Sequence, residues 1–488
     1  MGLNLHLMDV TSSPWKIRVV TLACVLHPSP HTAAKNLERA EQVLMEWEID
    51  TLVLQAATQD TTGNSITTFQ TIDTTEIMPC CAHTSQLFVQ HSSDEVPLIK
   101  QTFEAMNTCA TKLRGYPKRI QELFRICKDL QIKELTPRKI CTSRWDTREE
   151  VATRSTYLLP AYRLINPVSV FDNLDVRTSW ENALSVVDGN SAVIEEILPL
   201  MRLNAQWTQI LSSKSAVTIS LVRLAIRSLR SHVDLLETKV TDSRNGSAAS
   251  RSLVTKLDPF VRSAKRYLDH YFGDDFYNSG LLRVAEYLDP RTVWCIEDSD
   301  ELKTTVRALK LLANNEDILM PLRNHPQVAV GLGSAASSTN PRQSPIDKES
   351  ALYTNLMVAK GEETCNGIDP LIYWATEGAI AFPILAGIAA RILPIPSTSA
   401  SVEQLFSVSG RVVSTARASL NCRHVNELCC LHQWLIDEGL VSKDAANATE
   451  KRAQALKKFA YLNLRREVEG PEQIESDDEE EEEVVEED

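Results

Sequence analysis

The chain has 488 residues, 43% hydrophobic and 24% charged, with a formal net charge of −14. That length exceeds one compact core and predicts roughly two to four domains. No apolar run approaches the roughly 18 residues that cross a bilayer, and MGLNLHLMDVTSSPWK carries neither the basic nor the apolar region of a secretory signal, so no membrane role is expected.

The eleven cysteines lack framework spacing and suit a reducing compartment. Charge is unevenly spread. From Glu472 onward the chain has twelve acidic and no basic residues, so the remainder carries −14 + 12 = −2. Residues 441–488 are expected to form a basic helix followed by a self-repelling, disordered tail. Lys112 to Arg148 is biased the other way, with eleven basic and four acidic residues around Trp145. Basic groups beside a ring can serve nucleic acid, the charges for phosphate and the ring for a base. The bland alternative is a solvated basic helix face.

In chain order, residues 1–91 read as α/β. Alternation in LNLHLMDV (3–10) and β-branching in WKIRVVTLACVL (15–26) predict a hairpin. A helix follows with Leu37, Ala40, Val43, Leu44 and Trp47 on one face. TLVLQAA (51–57) reads as a strand that stops before Asp60, at the carboxyl end where open α/β sheets place working residues.

Residues 92–330 read as almost wholly helical, with stripes at Leu98, Ile99, Phe103, Met106 and Leu113, and at Ile120, Leu123, Phe124, Cys127 and Leu130. Further helices are expected near 192–212, 215–240 and 256–272. The Gly/Ser/Pro-rich stretch that follows is read as a linker over 331–365.

Pro383 is placed to begin a helix, which Pro394 and Pro396 end. Ser401 and Gln404 have capping-box spacing, with Ser397 or Ser399 as earlier starts. Val402, Leu405, Phe406 and Ser409 are the expected buried stripe, with Gly410 as C-cap. A final helix carries Val425, Leu428, Cys429, His432, Leu435 and Ile436 on one side. Between Ile392 and Gly410 the single charged residue is Glu403. Without further information it is an exposed helix carboxylate.

The segment DPLIYWATEGAIAFPILAGIAARILPIPSTSASVEQLFSVSGRVVSTARASLNCRHVNELCCLHQWL (369–435) resembles the C-terminal dimerisation region of hAT-superfamily transposases. Its ordered signatures are D-P-L-x-x-W, F-P-x-L-x-x-x-A, I-P-x-T-S-A-S-x-E, F-S-x-x-G and R-x-x-L. Upstream, PHTAAKN (30–36), QDTTGN (59–64), CCAH (80–83), SRWDT (143–147) and YLDPR (287–291) resemble further landmarks of that family.

The resemblance implies α/β plus α: a ribonuclease H-like mixed sheet, incomplete at its N-terminus, interrupted by an all-helical insertion and completed by C-terminal helices. The implied units are 1–91, 92–330, the 331–365 linker, 366–440 and 441–488. In that family an Asp-Asp-Glu triad holds divalent metal for cutting and joining DNA. Asp60 matches the second acid and Glu403 the third, so both are candidate catalytic residues and ligands for Mg2+ or Mn2+.

The first acid, normally in a T-x-D-x-W motif, has no match in this sequence, and Asp9 falls on the second-strand position. Gln404 stands where many relatives have arginine. No zinc finger is recognised, and Cys80 and His83 read as packing at a helix start. The implied function is therefore a nuclear, transposase-derived protein that associates with DNA and is catalytically impaired. The alternative is an active metal-dependent transposase or nuclease.

Candidate DNA contacts are Trp145, Arg144, Lys118, Arg119 and Lys139, with core packing the alternative for Trp145. Trp374, Phe382, Leu405, Phe406, Leu428, Leu431, Trp434 and Leu435 are candidate dimerisation or core residues. The expected partners are DNA and a second copy or related transposases.

Overall fold

The computed structural model describes residues 1–25, 32–51, 54–60, 76–141, 147–244, 247–296, 298–313, 344–413 and 421–437. Arg144, Trp145 and the basic and acidic tail lie outside these residues.

The N-terminal alternation folds as expected into strands β1 (Gly2–Asp9) and β2 (Lys16–Cys24), paired antiparallel. Asp9 is committed to this hairpin: its carboxylate accepts from Thr11 N at 3.1 Å, Thr11 Oγ1 at 2.6 Å and Arg18 Nε at 3.0 Å. Helix α1 (Ala33–Glu46) starts at the Thr32 cap and buries Ala40, Val43 and Leu44. Val43 and Leu44 join Leu22 and Ala23 of β2 in a small core. Trp47 ends the helix and donates from Nε1 to Leu22 O at 3.1 Å.

Strand β3 (Ala56–Gln59) pairs in parallel with β4 (Glu76–Pro79). It lies later than the apolar run at 51–57 suggests. Register against Glu76–Pro79, rather than hydrophobicity, selects the paired residues. The expected single mixed sheet is thus described as two strand pairs.

A helical body follows: α2 (Cys81–Asp94), α3 (Pro97–Arg114), α4 (Pro117–Asp129), α5 (Thr147–Leu164) and α6 (Leu174–Leu211). It continues with α7 (Val222–Ser243), α8 (Ala248–Phe272), α9 (Gly280–Leu288) and α10 (Ser299–Ala313). Prolines at the first turns of α3 and α4 fit because those N–H groups have no partner within the helix. The 192–212 expectation falls short because Asn173 caps α6 much earlier, accepting from Asp175 N and Val176 N. The two predicted stripes hold at Ile99, Phe103, Met106 and Leu113, and at Leu123 and Cys127, all buried.

The expected linker ends sooner than residue 365. Ser344 caps α11 (Pro345–Lys360), accepting from Asp347 N, and the helix buries Ile346, Tyr353 and Met357. A Ser-Pro start followed by apolar residues at helical spacing outweighs the Gly/Ser-rich composition before it. Tyr353 packs at ring-centroid distances of 5.6 Å from Trp374 and 5.5 Å from Phe382. Trp374 is wholly buried and donates from Nε1 to Leu288 O at 2.7 Å. Helix α12 begins at Pro383 and runs to Ile392, as predicted.

Two further helices, α13 (Ala400–Val412) and α14 (Cys422–Asp437), cover the N-terminal hairpin. Leu405, Val408 and Cys429 form a core with Cys24. Asn426 Oδ1 accepts from Cys24 N at 2.6 Å, and Trp434 Nε1 donates to Thr21 O at 3.0 Å. The 366–440 stretch therefore serves two cores: its first part joins the helical body and its last part the hairpin.

Candidate functional site

The residues around Asp60 and Glu403 are organised by the turn 396–399, between α12 and α13. Pro394 and Pro396 prevent α12 from continuing. Thr58 of β3 donates from Oγ1 to Pro396 O at 2.6 Å, Cys81 N donates to Ser397 O at 2.9 Å, and Ser399 N donates to Cys80 Sγ at 3.2 Å. Cys80 N in turn donates to Gln59 O at 2.7 Å. One short turn thus fixes the end of β3, the start of α2 and the start of α13. Ser397 is wholly buried and Thr398 nearly so.

Asp60 follows β3 directly, and Glu403 lies in the first turn of α13. Burial raises the Glu403 carboxyl from 4.5 to about 7; a hydrogen bond from Ser399 Oγ, at 3.3 Å, opposes the rise, and the charge of Asp60 adds to it. The Cys80 thiol is also raised, chiefly by burial, with Glu403 contributing. Across the turn, His6 Nε2 lies 3.3 Å from Ser401 Oγ. Burial, and then the charge of Lys214, lower the His6 imidazole to about 4.

The two acids are of the right kind for a hard divalent cation, which prefers oxygen ligands. Their number is short. Among the described residues no three His, Cys, Asp or Glu side chains converge as a metal site. The described groups therefore do not make a complete Mg2+ or Mn2+ site.

The predicted DNA contacts separate. Lys118, at the start of α4, and Lys139, beyond its end, are exposed. Arg119 is not a surface residue. Its Nη1 donates to Lys112 O at 2.8 Å, and its guanidinium stacks over Tyr116 at 4.0 Å and Phe171 at 4.9 Å. Those rings and that carbonyl satisfy the group inside the protein, which corrects its assignment as a DNA contact. Other cations of the stretch are also engaged: Arg125 bridges Glu122 and Asp129, and Arg148 pairs with Asp94.

The candidate dimerisation residues divide too. Trp374, Phe382 and Leu405 are core, and Leu435 is partly buried. Phe406, Leu428, Leu431 and Trp434 are exposed at 45%, 41%, 48% and 37%. Helix α13 buries Leu405 and Val408 rather than Phe406, and it continues through Gly410 to Val412. In α14 the inward residues are Cys429, Cys430 and Gln433 instead of Leu428. The polar anchors at Asn426 and Trp434 orient this helix, and apolar spacing alone does not reveal them. His6 and Lys214 carry no motif that marks them in the sequence.

Residues 351–435 match the hAT family C-terminal dimerisation region. Over 541 aligned positions the chain is 22% identical to "Putative transcriptional regulator tpeD" of Talaromyces stipitatus. The match takes in 98% of this chain and 58% of that protein, so the chain spans less than two thirds of the curated relative's length. The chain carries the dimerisation region of hAT-family proteins, and no described helix is long and apolar enough to cross a membrane.

Proposed function

We propose that this hAT-type chain is a transposase-derived nuclear protein that self-associates through its C-terminal helices and associates with DNA. Its Asp60–Glu403 pair is the remnant of a cation-dependent cutting site. The observation carrying this reading is the convergence of those two carboxylates, one from each end of the chain, on the 396–399 turn. A ribonuclease H-like core is in keeping with the strands: one pair is antiparallel and the other parallel, as two parts of a mixed sheet would be. Among the described residues each pair stands without a third strand.

These 488 residues supply two recognised acids of the expected three, and two carboxylates hold a hard cation weakly. A DNA-associating role with little cutting agrees with the regulatory name carried by the relative.

The test has two readouts on the full chain. Binding of labelled duplex DNA should weaken steeply with salt. Nicking with Mg2+ or Mn2+ should not rise above that of Asp60→Ala and Glu403→Ala. Absence of DNA binding rejects the reading. Nicking that both substitutions abolish replaces it with the active-nuclease alternative. A fluorescent fusion excluded from nuclei would reject the assigned location.

A further inference from the structure

Trp47, at the end of α1, and Trp434, on α14, meet edge to face, with ring centroids 5.9 Å apart and planes at 79°. They come from opposite ends of the chain, and neither is buried: Trp47 is 40% exposed, much as Trp434 is. Each indole N–H is already spent inside the molecule. Trp47 Nε1 donates to Leu22 O at 3.1 Å and Trp434 Nε1 to Thr21 O at 3.0 Å, both carbonyls of β2. What the pair shows to solvent is therefore hydrocarbon, with no polar group left to be hydrated. On α14, Leu428, Leu431 and Trp434 recur at helical spacing and are all exposed, so Trp47 lengthens an apolar stripe by one more large ring. Arg423 and Glu427, paired at 2.8 Å, lie on the same helix and cancel each other's charge.

We propose that Trp47 belongs to the self-association surface, so that the contact with a second copy of this chain is built from both ends of the sequence. This rests on the self-association reading above. Continuity is the first argument: Trp434 lies within the matched dimerisation region, and Trp47, far outside it, packs against its ring. Area is the second. The exposed parts of two leucines and one tryptophan supply only a fraction of the roughly 800 Å² that each partner gives to a standard interface. The stripe on α14 therefore needs neighbours, and the Trp47 ring is already in contact with it. Trp47 is also held in place before any partner arrives, by Leu22 O and by its own N–H bonds to Val43 O and Leu44 O, so little freedom is lost on association. A second copy suits the patch because an apolar surface can meet its own image across a two-fold axis without like charges facing each other.

Sedimentation equilibrium of the full chain compares wild type, Trp47→Ser and Leu311→Ser, the last an exposed apolar control on α10 of the helical body. Trp47→Ser should raise the dimer dissociation constant by about tenfold or more, while Leu311→Ser should leave it unchanged. Hydroxyl-radical footprinting of wild type, read by mass spectrometry above and below that constant, adds a measurement without any substitution. Trp47 and Trp434 should both be oxidised less in the dimer. An unchanged constant in a Trp47→Ser protein that melts like wild type overturns the role of Trp47 and leaves the self-association reading intact. So does a dimer that protects Trp434 but not Trp47. A dimer that protects neither ring overturns both the role of Trp47 and the α14 interface, and a wild type that stays monomeric overturns the self-association reading with them. If Trp47→Ser melts early, the footprint of wild type decides.

Discussion

Asp60, one residue past β3, stands near enough to Glu403, in the first turn of α13, for its charge to raise the Glu403 carboxyl. The segments bearing them are linked by Thr58 Oγ1 donating to Pro396 O and by Ser399 Oγ donating to Glu403. Like charges held together in a partly dry site cost free energy, and the turn supplies the hydrogen bonds that keep them there.

Replacing Asp60 by asparagine should lower the Glu403 carboxyl only partway from about 7 toward 4.5, because burial is the larger cause and persists. Carbon-13 NMR titration of the side chain measures this. An unmoved Glu403 would show that the two groups are not electrostatic neighbours.

Self-association should depend on the outer face of α14. Leu428 and Leu431 are exposed there, beside the partly exposed Trp434, within the matched dimerisation region. Leu428→Glu with Leu431→Glu should leave the far-ultraviolet circular dichroism unchanged and shift sedimentation to the monomer. Each glutamate buried at an interface would cost several kcal/mol, on the order of what removes a modest dimer. A double variant that sediments like wild type would acquit this face.

Glu349 caps α12 from inside the helical body, accepting from Ile384 N and from Leu385 N, both at 3.0 Å. Burial raises its carboxyl to about 7, against the pull of those two N–H groups. Unfolded, it titrates near 4.5. Between these values the folded chain holds the extra proton, so this group's contribution to stability falls as pH rises. Glu349→Gln should match wild type near pH 5 and exceed it above pH 7 by ~2 kcal/mol. Urea unfolding across that range checks it; parallel curves for the two proteins would refute it.

Gly378 ends the π-turn Trp374–Gly378. A Cβ there would lie 2.6 Å from Trp374 Cε3 and 2.9 Å from Tyr373 Cε1, and the Trp374 ring is fixed by its bond to Leu288 O. Gly378→Ala should therefore destabilise the chain by about 1 to 3 kcal/mol, read as a lower melting temperature. An unchanged melting temperature would mean that the aromatic cluster yields freely.

Local patterns in the sequence were informative wherever one face meets one core. The hairpin, the α3 stripe and the Pro383 helix start followed from alternation, helical spacing and proline geometry. Asp60 and Glu403 were legible through ordered motifs, which record a pairing that no local rule could supply. Arg119 reads as a surface cation, but the neighbouring Tyr116 ring and Lys112 carbonyl, together with Phe171 farther along the chain, satisfy it. Leu428 reads as dimerisation or core, and α14, oriented by Asn426 and Trp434 against β2, leaves it exposed in keeping with the first. A residue's environment depends on partners far away in the chain, and composition is silent about those.

The staple between β2 and α14 also dictates an order of events during synthesis. Cys24 N waits for Asn426, and Thr58 waits for the backbone at residue 396. Strands β1 and β2 therefore cannot acquire this covering until a helix 402 positions further along has been translated. A nascent chain halted before residue 396 would leave exposed the hairpin surface that α13 and α14 cover and would lack the Pro396 partner of Thr58, the kind of surface that recruits chaperones or clumps. Premature stops that remove α13 and α14 should accordingly yield insoluble protein rather than a shorter soluble version.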